Sequence, residues 1–104
     1  MSIITDEQII NLKDSLEYEK EKIVTKTVIE NKLTGYAFDR GQSILPYTKQ
    51  YNEMFRIIEG RAEVMLNGEN YDLEEGEQLL MPKNSIHALF AKTKLKLAMV
   101  KVEI

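Results

Sequence analysis

The dipeptide Asn67-Gly68 constrains the fold of this chain more than any other pair of residues. It separates two runs, Arg61 to Leu66 and Glu69 to Leu73, that each suit an extended strand. A two-residue hairpin turn of type I′ needs positive φ at both central positions, and Asn followed by Gly meets that need at low steric cost. The hairpin is one of a series. Ile23 to Glu30 is rich in β-branched residues, which pack well on a pleated surface. Lys32 to Asp39 is a second strand candidate, ended by Gly41, and Glu53 to Glu59 is a third, ended by Gly60. Gln78 to Met81 and Ser85 to Ala91 lie on either side of Pro82, and Leu95 to Ile104 closes the chain. Short strands with turn signals every ~8–12 residues predict a β-sandwich or barrel.

Ahead of the strands the period changes. Thr5-Asp6-Glu7-Gln8 has the form of a helix capping box, with Thr5 as the cap and Gln8 reaching back. Ile9, Ile10, Leu12 and Leu16 follow at spacings that gather apolar groups on one side of a helix. The pattern predicts a short amphipathic helix over about residues 6–16, with the charged run Glu17 to Lys22 as a connector. The expected division is therefore a helix and connector over 1–22 and a strand domain over 23–104.

A chain of 104 residues has room for one core and little else. There is no cysteine, hence no disulfide, thiolate nucleophile or thiolate metal site. No apolar run approaches the ~20 residues that cross a bilayer, and Met1 to Asp6 lacks the basic start and apolar stretch of a secretory signal. A cytoplasmic setting with no membrane contact is the expectation. The net charge of −3 argues against nucleic acid as a partner, because phosphate neutralisation needs clustered Lys and Arg. The nearest such cluster, Lys92, Lys94 and Lys96, reads as alternating positions along a solvated strand end.

Two glycine-bounded segments carry the chemistry. From Gly41 to Gly60 the chain places Tyr47, Lys49 and Glu53 at fixed intervals; from Gly76 to Ala91 it places Pro82, Asn84 and His87. These segments resemble the two sequence motifs of the cupin family. The first family motif is Gly, five residues, His-x-His, three or four residues, Glu, six residues, Gly. The second is Gly, five residues, Pro-x-Gly, two residues, His, three residues, Asn. Gly41, Glu53, Gly60, Gly76, Pro82 and His87 fall at the family's spacing. Tyr47 and Lys49 stand at the two His positions of the first motif, Asn84 stands where Gly is usual, and Ala91 where Asn is usual. The resemblance covers about residues 35–104 and implies an all-β fold, a double-stranded β-helix or jelly-roll cupin barrel, preceded here by the short helix.

Strand side chains alternate faces, so Tyr47, Lys49, Glu53, Phe55 and Ile57 share one parity. In cupins the positions of Tyr47, Lys49, Glu53 and His87 hold a metal inside the barrel, so the resemblance implies that these side chains meet there. It also places Leu89 on the same inward face as His87. A transition metal usually takes three or more imidazole, carboxylate or thiolate ligands. Only Glu53 and His87 are good ligands here, Lys49 is a cation near neutral pH, and Tyr47 ligates well only as phenolate, which favours ferric iron. The expectation is no metal cofactor; were a divalent or ferric ion to bind, Glu53 and His87 would hold it. Without a metal, Glu53 needs a partner such as Lys49, since an unpaired buried charge is costly.

The expected function is thus binding of a small molecule by a cupin barrel without metal. The ligand pocket is built from Tyr47, Lys49, Glu53, Phe55, His87 and Leu89. Phe55, Ile57 and Leu89 would form apolar walls, and Lys49 and His87 would favour an anionic group unless Glu53 cancels the charge. The alternative is a small cupin enzyme, metal-dependent or acid–base, of isomerase, epimerase or dioxygenase type; no catalytic residue is assignable from the sequence. A homodimer is expected, with the outward set Met54, Arg56 and Ile58 offering partly apolar surface and the N-terminal strand pairing across the interface.

Overall fold

The computed structural model describes residues 9–103. Nine strands follow one helical turn, α1 (Leu12–Ser15): β1 (Ile23–Ile29), β2 (Leu33–Phe38), β3 (Ser43–Tyr47), β4 (Asn52–Glu59), β5 (Arg61–Leu66), β6 (Glu69–Glu74), β7 (Gln78–Met81), β8 (His87–Ala91) and β9 (Leu95–Val102). They form a five-stranded sheet in the order β1-β2-β9-β4-β7 and a four-stranded sheet in the order β3-β8-β5-β6. Every pairing is antiparallel. Two such sheets facing one core are the jelly-roll architecture expected of the chain.

The core is where the alternating patterns of the two sheets meet. Phe55 and Ile57 of β4, Val64 of β5, Leu89 of β8 and Leu95 and Leu97 of β9 are all almost fully buried. The chain reversal between β5 and β6 is the one that Asn67-Gly68 predicts: both residues have positive φ, 49° and 86°, and the hairpin closes on the pair Leu66 and Glu69. Gly60, between β4 and β5, is more tightly required. Its φ is +88°, and a Cβ there would lie 2.1 Å from the backbone carbonyl oxygen of Lys94.

The N-terminal helix differs from its expectation. Thr5 and the rest of the capping box lie outside the described residues. Ile9 and Ile10 are not helical. The turn begins after Asn11, whose own extended backbone ends the preceding segment and whose side-chain oxygen accepts from the amide of Asp14 at 3.1 Å. Asn is among the strongest N-cap residues, so a turn beginning at Leu12 is locally favoured. Leu12 and Leu16 do pack as the pattern implied. They rest on Gly35 of β2, where a Cβ would come within 2.8 Å of the Leu12 side chain. Ile9, by contrast, is fully exposed.

Strand β3 is the element that the sequence pattern did not single out. It contains Pro46, which cannot donate to a ladder. The sheet accommodates it because β3 is an edge strand and its register with β8 shifts between Ile44 and Tyr47. The lysines at 92, 94 and 96 do not alternate along one strand. Lys92 and Lys94 sit in the bend between β8 and β9, and only Lys96 is in a strand. Their charges are engaged locally. Lys92 lies 2.7 Å from Asp72, while Lys94 and Lys96 lie over the ring of Tyr18. Among the described residues no helix is long and apolar enough to cross a membrane.

Candidate functional site

Glu53 enters the barrel near the start of β4, on the same inward face as Phe55 and Ile57, and is 3% exposed. Its two neighbours across the sheet are Met81 of β7 and Lys101 of β9. The opposite sheet brings Tyr47 and His87 together as register partners on β3 and β8. Lys49 follows Tyr47 in the connection between β3 and β4, which is held from below. Its carbonyl accepts from the amide of Asn84 at 2.7 Å, and the Asn52 side chain accepts from the amide of Lys83 at 3.0 Å. Asn84 has φ of 66°. Asn is one of the few non-glycine residues that tolerate this conformation, which explains how it fills a position where the family motif has Gly.

The four side chains meet as the resemblance implied. The Lys49 ammonium donates to Glu53 Oε2 at 3.0 Å, and the Tyr47 hydroxyl donates to Glu53 Oε1 at 3.2 Å. His87 is 1% exposed and lies edge-on to two rings, Tyr47 with centroids 4.1 Å apart and Phe55 at 6.0 Å. Its Nδ1 faces the Ser85 carbonyl oxygen at 3.3 Å, so in the neutral ring Nδ1 donates and Nε2 is the acceptor. That Nε2 is 3.6 Å from Glu53 Oε1, too long for a hydrogen bond, and has no partner among the described residues.

Burial pushes the Tyr47 phenol well above the usual range, and the adjacent Glu53 carboxylate adds to the effect, so Tyr47 stays a neutral donor. For Lys49 burial alone would lower the pKa, but interactions with Tyr51 and Glu53 outweigh it and hold the ammonium above its usual value. The chemistry at these two positions bears on whether the family's metal fits. The position of one imidazole holds a neutral phenol, and that of the other a cation already seated on the carboxylate. Among the described residues no three His, Cys, Asp or Glu side chains are gathered to hold a metal. Glu53 and His87 alone make two ligands, short of the usual three or more. The donor set does not fit a transition metal.

The accessible space lies beside this cluster, against residues of the five-stranded sheet. A cavity of about 300 Å³ is bordered by Lys49 and Glu53 together with Thr34, Tyr36, Tyr51 and Lys101, among others. Tyr47, Phe55, His87 and Leu89 are not among its walls. The last three are core residues, each at most 2% exposed, and the stacking of His87 between Tyr47 and Phe55 fills the interior behind Glu53. Tyr36, Tyr51, Thr34 and Lys101 are wall residues that motif reasoning missed. Parity carried a signal for one of them: Lys101 continues the inward series Leu95, Leu97, Met99 of β9.

Residues 36–103 match the family model described as a cupin domain, and the chain belongs to that family. Comparison with curated proteins gives no match. Among solved structures the chain is similar to a protein of unknown function from Streptococcus pyogenes, at 26% identity over 97% of this chain and 91% of that one, with a TM-score of 0.86. It is also similar to a cupin superfamily protein from Desulfitobacterium hafniense, at 18% identity over 96% of this chain and 95% of that one, with a TM-score of 0.82. A third is KdgF from Halomonas sp., at 22% identity over 88% and 92%, with a TM-score of 0.71. The last two likenesses concern the fold alone.

Proposed function

We propose that this protein is a small-molecule-binding cupin that works without a bound metal, taking its ligand in the cavity beside Glu53. The observation that carries this reading is the Lys49 ammonium, 3.0 Å from Glu53 Oε2. A cation supplied by the chain itself occupies one oxygen of the carboxylate that a metal would need. The cavity supports the same reading, since about 300 Å³ lies at the lower end of the range for ligand pockets. The test is a thermal-shift screen of small metabolites in buffer containing a chelator. A ligand that binds only the folded state raises the melting temperature. Stabilisation that survives the chelator and is weakened by Lys49→Ala supports the reading; ligand binding that appears only after metal is added overturns it.

A second reading, acid–base catalysis in the same place, has one observation in its favour. His87 Nε2 is a buried acceptor without a partner, 3.6 Å from Glu53 Oε1 and close to the Tyr47 hydroxyl that donates to the same oxygen. Groups of these types move protons when a substrate reaches them. His87→Gln separates the two readings: it abolishes turnover in an enzyme and leaves ligand binding through the cavity walls intact.

We further propose a homodimer. Among the described residues β1 lies at an edge of the five-stranded sheet, a position that a partner strand can extend. The outer face of that sheet carries a groove of about 730 Å³ bordered by Ile9, Leu33, Ile58 and Val100. Sedimentation showing only monomer at micromolar concentration would reject this proposal.

A further inference from the structure

The cavity walls contain a set of hydrogen-bond donors that have no acceptor among the described residues. Both oxygens of Glu53 are engaged, Oε2 by Lys49 and Oε1 by Tyr47. Lys32, at the rim, pairs with Glu103 at 3.3 Å. Lys101 is different. It is the cross-strand neighbour of Glu53 and borders the same cavity, as Glu30 does, yet no carboxylate among the described residues lies within ion-pair distance of it. Its ammonium lies 4.8 Å from the centre of the Tyr51 ring, which positions it without neutralising it. On the adjacent strands Thr27, Thr34 and Tyr36 border this space, Thr27 at its exposed margin, and none of the three has a hydrogen-bond partner among the described residues. Thr27 and Thr34 are register partners on β1 and β2, so the two residues lie opposite each other across the pair.

We propose that Lys101 is the anion anchor of this cavity and that the ligand is a small carboxylate carrying hydroxyl groups. The carboxylate pairs with the Lys101 ammonium, and the hydroxyls bond to Thr34, Thr27 and Tyr36. The inference rests on the reading that the cavity binds a small molecule and adds its chemical class. It also moves the anion from Lys49 to Lys101, because Glu53 already neutralises Lys49. Burial holds the Tyr36 phenol above its usual pKa, so it remains a neutral donor to a hydroxyl or carboxylate oxygen. The size agrees, since a cavity near 300 Å³ falls at the lower end of the range for small-ligand pockets.

The test uses the intact protein and three matched probes: gluconate, which is hydroxylated and anionic; sorbitol, hydroxylated and neutral; and hexanoate, anionic without hydroxyls. Binding is read by calorimetry and by thermal shift on the parent, Lys101→Met, Lys101→Arg and Thr34→Val. Gluconate should bind the parent best. Lys101→Met should weaken it by about tenfold to a hundredfold, as expected for loss of a hydrogen bond to a charged group. Lys101→Arg should retain most of the affinity, and sorbitol should gain nothing from Lys101. Unfolding scans of the variants without ligand establish that each is folded, and Lys101→Arg serves as the probe of charge if Lys101→Met is not. Equal gluconate affinity in the parent and Lys101→Met overturns the proposal, as does hexanoate binding as well as gluconate. Sorbitol binding with no gluconate preference overturns it while leaving the cavity reading intact. No binding of any probe counts against both.

Discussion

Replacing Lys49 by Met should damage this fold more than replacing its partner Glu53. The two side chains form one ion pair at 3.0 Å but differ in side-chain exposure: 30% for Lys49 and 4% for Glu53. Removing one member of a buried pair costs about 3–5 kcal/mol, because the other charge is left without compensation. In Lys49→Met the stranded charge is the Glu53 carboxylate, whose side chain is 4% exposed and whose remaining hydrogen bond among the described residues is from the Tyr47 hydroxyl at 3.2 Å. That hydrogen bond reduces the expected loss to about 2–3 kcal/mol. In Glu53→Met the stranded charge is the Lys49 ammonium, which can swing into solvent, while an apolar side chain of similar size enters the barrel. Such replacements are often close to neutral, so the expected change is within about 1 kcal/mol. The double variant should resemble Glu53→Met and not the sum of the two, giving a coupling of about 2 kcal/mol. For a domain of this size each kcal/mol moves the melting temperature by ~4–8 °C, so calorimetric or fluorescence melts resolve the difference easily. A Glu53→Met loss equal to that of Lys49→Met, or strict additivity in the double variant, would refute the reasoning.

Further consequences are open to the same kind of measurement. Asn84→Gly should be nearly neutral, whereas Asn84→Ala should lose about 1–2 kcal/mol in urea denaturation, because φ at this residue is 66° and Ala resists that conformation. Gly60→Ala should lose about 3 kcal/mol or fail to fold, since its Cβ would lie 2.1 Å from the Lys94 carbonyl and backbone cannot easily yield. The hydrogen bond from Tyr18 holds the Glu59 carboxyl below its usual value of 4.5, with lesser help from nearby lysines. A depressed folded-state pKa gives stability that is present above the unfolded value and lost as pH falls through the folded one. Glu59→Gln and Tyr18→Phe should therefore each flatten the stability profile below about pH 4.5, and an unchanged acid limb in both would count against this. Lys49 runs the other way: its raised pKa gives stability that is present below its usual value of 10.5 and lost as pH rises beyond it. Lys49→Met should remove that alkaline loss.

Much of the fold was legible because its signals are local. Asn67-Gly68 dictates a turn by its own backbone preferences, and the alternating apolar positions of β4 and β9 identify the inward face without reference to the rest of the chain. The misreadings arose where a neighbour decides. Asn11 takes the N-cap from within the apolar run, and Pro46 is tolerated only because β3 has one free edge and a register shift. In the site, spacing brought Tyr47, Lys49, Glu53 and His87 together, and the structure places them in contact. What spacing could not give is the depth of each side chain. His87 is held edge-on between two rings and lies behind Glu53, so the accessible space opens on the other side, toward Tyr36, Tyr51 and Lys101. Those residues come from β2, from the β3–β4 connection and from β9, and only the assembled barrel makes them neighbours.

The most direct measurement is the metal content of the purified protein, alongside a variant in which Tyr47→His and Lys49→His are combined. Both are exposed to excess zinc, manganese and ferrous iron, dialysed and analysed by mass spectrometry of the elements. If Lys49 stands where a metal would, the parent retains far less than one ion per chain. The double variant, with two imidazoles beside Glu53 and His87, binds close to one. Near-stoichiometric metal in the parent, lost on Glu53→Ala, would contradict the metal-free reading.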